Sequence, residues 1–217
     1  GDLIKIFRQE RLDLAENYHW SDGEIVGYIN DAVQEACERA KLNRDSTTDG
    51  IADIEVVAGQ SLYPLHRSVF EVDSVTLDNR VLCETSIEEL GSAWRTRTGQ
   101  PSRFVFVPAM GGDPAQIRLF PTPTVGGTAY LTVYRGARRP LRVEACHEVP
   151  DIPVRFHRHL LDWVYRCAML KQDSEVLNVT SAAEHEAIFE RNFGKRPDAN
   201  VQRKHRDVRP PLIASNW

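Results

Sequence analysis

The sequence predicts an α+β protein: a helical bundle built from N- and C-terminal helices, an inserted antiparallel β-sandwich or barrel-like module, and an extended C-terminal arm. Three observations predict it. Apolar residues recur at spacings of three and four before residue 45 and again after residue 150. Between 51 and 140 the period changes to two, in short runs separated by Gly, Pro, Asp and Asn. Beyond Gly194 no periodic core pattern remains. The expected divisions are therefore 1–45, 51–140, 150–194 and 195–217, with the terminal helices packing together around the β insertion.

Taken in order, Leu3, Ile6, Phe7 and Leu14 predict a first helix from Asp2 to about Leu14. Ser21-Asp22-Gly23-Glu24 is a capping box: the hydroxyl and the carboxylate each satisfy a backbone donor that a helix start leaves orphaned. The helix it opens carries Ile25, Tyr28, Ile29, Ala32, Val33, Ala36, Cys37 and Ala40 on one face, and Trp20 can staple against its first turn. Asn43–Gly50 reads as a polar breaker. Strand runs follow at Ile54–Val57, Phe70–Leu77 and Val81-Leu82, with Asp78-Asn79 as a turn. Ser86-Ile87-Glu88-Glu89 is a second capping box for a short helix ending near Trp94. Phe104–Val107, Gln116–Phe120 and Ala129–Tyr134 complete the strands, connected through Gly111-Gly112-Asp113-Pro114 and Pro121–Gly127. These hairpin-like connections predict antiparallel pairing.

After Pro150, Asp151 is placed to cap and Pro153 to sit in a first helical turn. Phe156, Leu160, Leu161, Val164, Cys167 and Ala168 form the buried stripe of that helix. A last helix over Val176–Phe193 turns Ala182, Ile188, Phe189 and Phe193 inward, and Gly194 suits a left-handed stop. From Lys195 to Arg209 the tail holds six basic residues against two acidic ones, then Pro210-Pro211 and the anchors Leu212, Ile213 and Trp217. An extended, basic segment with a few apolar anchors fits an arm that orders on a partner.

The composition narrows function by exclusion. A net charge of −4 argues against a protein that coats nucleic acid, which needs many phosphate-neutralising cations. Cys37, Cys83, Cys146 and Cys167 are scattered with no CxxC pair, so neither a zinc site nor a disulfide is expected. His157 and His159 are two apart on a helix and cannot share a metal, and His185-Glu186 lacks a second ligand at helical spacing. No nucleophile elbow or phosphate loop is present, and the carboxylates are dispersed. No cofactor, no metal and no catalytic residues are expected. No apolar run is long enough to span a bilayer, and the charged segment GDLIKIFRQERLDLAEN does not read as a secretory signal, so no membrane partner is expected.

Against that background, Trp20-Ser21-Asp22-Gly23-Glu24-Ile25 with Tyr28-Ile29-Asn30-Asp31-Ala32 resembles the first helix of head-to-tail adaptor (connector) proteins of tailed bacteriophages. TLDNRVL, SIEELGSAW, TGQP, IRLFPTP and YLTVYRG are similar to the β module of that family, and IPVRFHRHLLDWVYRCAMLKQDSE with FERNFG to its closing helices. The resemblance covers about Leu3 to Gly194. It implies a virion neck protein assembled in the host cytoplasm. It further implies a homo-oligomeric ring, about twelvefold, docked on the portal protein and joined to a tail or nozzle protein, with passing contact to genomic DNA during ejection. Trp20, Ile25, Ile29, Phe156, Leu160, Trp163, Phe189 and Phe193 become the candidate packing residues of bundle and subunit. Arg203, Lys204, Arg206, Arg209, Leu212, Ile213 and Trp217 become the candidate portal-docking arm. The competing reading is a tail-associated module that recognises a host glycan or receptor through 51–140. A cell-wall hydrolase is a third, for which no carboxylate pair can be named.

Overall fold

The structure, a computed structural model, describes residues 2–14, 18–144, 148–172 and 177–197. Among them are five α-helices and a curled sheet resembling half a barrel, a mixed α+β fold. The helices are α1 (Asp2–Arg11), α2 (Asp22–Ala40), α3 (Ile87–Leu90), α4 (Leu160–Met169) and α5 (Val179–Phe193). The strands are β1 (Asn43–Asp45), β2 (Asp53–Val56), β3 (Leu62–Pro64), β4 (Val69–Leu77) and β5 (Arg80–Glu84). They continue with β6 (Thr98–Gly99), β7 (Arg103–Val107), β8 (Gln116–Phe120), β9 (Thr122–Pro123) and β10 (Gly127–Arg135). Contacts divide the chain into two compact units. The first holds Gly1–Asp45, Ser68–Phe70 and Val133–Arg196; the second holds Ser46–Arg67 and Glu71–Thr132.

In the first unit α2 starts where its cap dictates. Ser21 Oγ accepts the Glu24 N–H at 3.2 Å, while the Glu24 carboxylate accepts the Ser21 N–H at 2.8 Å. Its inward stripe buries Ile25, Ile29, Ala32, Val33, Ala36 and Cys37, and Lys41 ends it in the left-handed conformation. That stripe shares one core with Phe7 of α1, with Leu160, Leu161, Trp163, Val164, Tyr165 and Ala168 of α4, and with Ala182, Phe189 and Phe193 of α5. Removing each large side chain from water contributes roughly 1.5–3 kcal/mol, so this core is the main source of the unit's stability. β1 pairs antiparallel with the end of β10, Asn43 opposite Arg135 and Asp45 opposite Val133.

Several expectations for this unit need correction. α1 stops at Arg11: Leu12 has φ 55°, and Leu14, expected on the apolar stripe, is exposed. Asp13 draws the chain back by accepting from Arg8 and from the His19 N–H. Asn43–Gly50 is no simple breaker, because it contains β1. Asp151 caps no helix, since Arg135 and Arg138 occupy its carboxylate. A 3₁₀ turn at Val154–Phe156 precedes α4, which begins only at Leu160. Asn178 opens α5 by accepting the Ser181 N–H at 3.0 Å; the earlier start expected at Val176 falls outside the described residues. Gly194 has φ 89° but ψ 172°, a positive-φ stop outside the left-handed helical basin.

In the second unit the strand order is β10-β4-β5-β7-β8-β3, with β2 on the other side of β10. β4 and β5 are joined by Asp78 and Asn79 at φ 50° and 60°, the two-residue turn whose twist matches a hairpin. β7 and β8 pair from Arg103↔Phe120 to Val107↔Gln116. Phe104, Ile117 and Leu119 are buried on one face; Val105 and Phe120 pack on the other beneath Leu90, Ile87 and Trp94. The pairing is not wholly antiparallel: β5 and β7 are parallel, because α3 and a 3₁₀ turn at Gly91–Arg95 carry the chain back between them. The second capping box forms by half. Ser86 Oγ accepts the Glu89 N–H, but the Glu89 carboxylate takes the Thr85 hydroxyl instead. Val57 and Val81 are exposed, and β3 lies where no strand was expected.

Candidate assembly surfaces

The packing residues expected from sequence lie in the first unit. Trp20, Ile25, Ile29, Leu160, Trp163, Phe189 and Phe193 are buried; Phe156 is half-buried against the same core. Trp20 stands edge-on to Phe7 at 5.3 Å and donates its indole N–H to the Ala168 carbonyl. Phe189 joins the rings of Trp163 (5.0 Å) and Phe193 (4.6 Å). These are intramolecular contacts. The arm residues Arg203, Lys204, Arg206, Arg209, Leu212, Ile213 and Trp217 lie outside the described residues, as does Cys146.

Two polar networks in the first unit escaped the sequence reading. Arg39 is nearly enclosed between Glu35 (2.9 Å) and Glu186 (3.0 Å) and sits over Trp163 and Phe189. Arg135, 8% exposed, donates to Asp45 at 2.6 Å and to Asp151 at 2.8 Å. Burial works against the Asp151 charge, but the Arg138 backbone and side chain and Arg135 outweigh it and hold the carboxyl below its ordinary range. Burial depresses Arg135 in turn, and Asp45 and Asp151 more than restore it. Such pairs are separated by about 90 and 16 positions in the chain, so only the alternation of charge types could have hinted at them.

The histidines serve as hydrogen-bonding groups. The guanidinium of Arg11 can only donate, so the His185 Nε2 2.7 Å away accepts, and Nδ1–H is left to donate to Asp162 at 3.2 Å. His157 Nε2 lies 3.0 Å from the Ile152 carbonyl. Among the described residues no group of His, Cys, Asp and Glu is placed to hold a metal. Cys37 is buried, which pushes its thiol up to about 12, while Cys83 is exposed. No helix among the described residues is long and apolar enough to cross a membrane.

The second unit presents two shallow clefts. One lies at the β7–β8 hairpin tip between Arg67 and Met110–Pro114, where Gly111 and Gly112 adopt positive φ. The other is lined by Glu89, Arg97, Ser102, Arg103, Phe120 and Pro121. Arg118 is stacked 4.7 Å from Trp94 and donates to Ser61, and burial lowers its pKa. Neither recess is an enclosed cavity, so both suit contact with another macromolecule better than enclosure of a small molecule.

The family model described as "SU10 adaptor protein" matches residues 1–212. No curated protein matches the chain.

Proposed function

The chain belongs to the SU10 adaptor protein family, and from that premise we propose that it forms the ring joining a phage head to its tail. Membership makes it a bacteriophage structural adaptor and a component of the virion. The proposal adds the finer assignments. The four longer helices act as the bundle of each subunit. The ring, about twelvefold, docks on the portal, and residues 195–217 reach it as an extended basic arm with apolar anchors. The ring extends the DNA channel toward a tail or nozzle protein, and the role requires no turnover. A chain of net charge −4 suits a wall that DNA slides past, because phosphates gain little by binding it.

The observation that carries this reading is the match of one adaptor family model across 1–212, through both units. Electron microscopy of the full chain mixed with portal rings tests it. A ring of radially arranged copies seated on the portal is the expected image; portal rings that remain bare at high protein concentration would overturn the proposal.

A further inference from the structure

A closed ring built from one chain joins unlike surfaces, so each copy must carry two different and complementary patches. The second unit carries such a pair. From 46 to 65 the chain contains Asp49, Asp53 and Glu55 and no Lys or Arg. This stretch supplies β2, which pairs with β10 and with no other described strand. Glu55 stands opposite Thr128 and Asp53 opposite Tyr130. Val57, Val125 and Tyr130 are exposed by 48%, 76% and 62%. The β2 edge therefore offers apolar surface with an acidic rim.

From 90 to 112 the chain contains Arg95, Arg97 and Arg103 and no Asp or Glu. All three are exposed. Arg95 lies 4.9 Å from the Trp94 ring and Arg97 lies 6.0 Å over Phe120. Arg97 and Arg103 both line the cleft, beside Glu89, Ser102 and Pro121. A guanidinium held by its face keeps its N–H edge free for a carboxylate.

Among the described residues no ion pair joins these arginines to those carboxylates. The strand order places β10, β4 and β5 between β2 and β7. The two sets of charges are thus not paired with each other within one copy.

We infer that the acidic β2 edge of one copy seats on the Arg97–Arg103 cleft of the next copy, head to tail. The inference rests on the ring reading above and names the contact that builds it. Nucleic-acid phosphate is the rival occupant of the arginines. A second copy is favoured because the same unit presents three carboxylates beside exposed apolar residues. Charge complementarity here selects which edges meet, and the apolar residues supply contact area.

The test uses the full chain in two charge-reversed forms. Arg97→Glu/Arg103→Glu reverses one patch. Asp49→Lys/Glu55→Lys reverses the other and spares Asp53, which accepts the Gly50 N–H at 2.6 Å. In sedimentation experiments each variant alone is expected to lose self-association at least tenfold. An equimolar mixture should recover it, because every contact then joins opposite charges, and so should the variant carrying all four changes. Fold damage cannot produce that recovery. Variants that assemble like the wild type, or a mixture that stays dispersed, would overturn the inference while leaving the ring reading intact. A wild-type chain that never self-associates removes both. Arginine changes that weaken DNA binding but not assembly would reassign the cleft to phosphate and also overturn the inference.

Discussion

Arg135 joins two carboxylates from distant parts of the chain, Asp45 and Asp151, and closes on its own neighbour through the Gly136 carbonyl at 3.0 Å. Arg135→Met removes this guanidinium from Asp45, which is 7% exposed, while Arg138 still pairs with Asp151. The expected cost is about 3–5 kcal/mol, read as a fall in the urea midpoint; a loss under about 1 kcal/mol would show that water replaces the guanidinium. Asp151 adds a pH signature. Its folded pKa lies below the ordinary 3.8, so the stability it contributes is complete above that value and is lost as pH falls through the folded one. Between pH 5 and pH 3 the wild type should lose more of its urea midpoint than Asp151→Asn does; parallel losses would refute the assignment. The thiols separate as cleanly. At pH 7 a maleimide should label Cys83 in the native protein and reach Cys37 only on unfolding, since burial holds that thiol at about 12.

At the scale of the element, α2 was legible because its signals are local. Its cap, its stripe of Ile25, Ile29, Ala32, Val33 and Ala36, and its end lie within one stretch of chain. Ser21→Ala should cost about 1 kcal/mol, visible as a lower melting temperature. The Glu24 carboxyl is held below its ordinary range first by Lys171 and then by the Ser21 N–H, which ties that same cap to the segment after α4. The Asp78-Asn79 turn was equally legible, two short polar residues between alternating runs. What failed were elements too short or too distant in cause. β1 and β3 have three residues each, less than a period-two pattern needs to declare itself. The parallel β5–β7 pair depends on where α3 and the following turn deliver the chain. Asp151 had every local qualification of a cap and was taken instead by Arg135 and Arg138.

For the whole molecule, the adaptor assignment rests on both units together, since the family match runs through each. Its sharpest consequence concerns the arm. Deleting 198–217 should abolish binding to portal rings while leaving the melting temperature within about 2 °C. Undiminished portal binding by the truncated chain would remove the arm's role. The acidic and basic stretches of the second unit carry the assembly test given above. They were countable in the sequence, but their places on the sheet were not.

The sequence by itself determined the class of the fold, the presence of the longer helices and the start of α2, the hairpin at Asp78-Asn79 and the family. Each of these rests on periodicity, caps and turn chemistry that neighbouring residues decide among themselves. Tertiary structure alone decided that Leu14 faces outward, that Asp151 serves an arginine, and that β5 and β7 run parallel. Those outcomes depend on which distant groups meet, and the free energy of burying or pairing a charge outweighs any local preference of the segment that bears it.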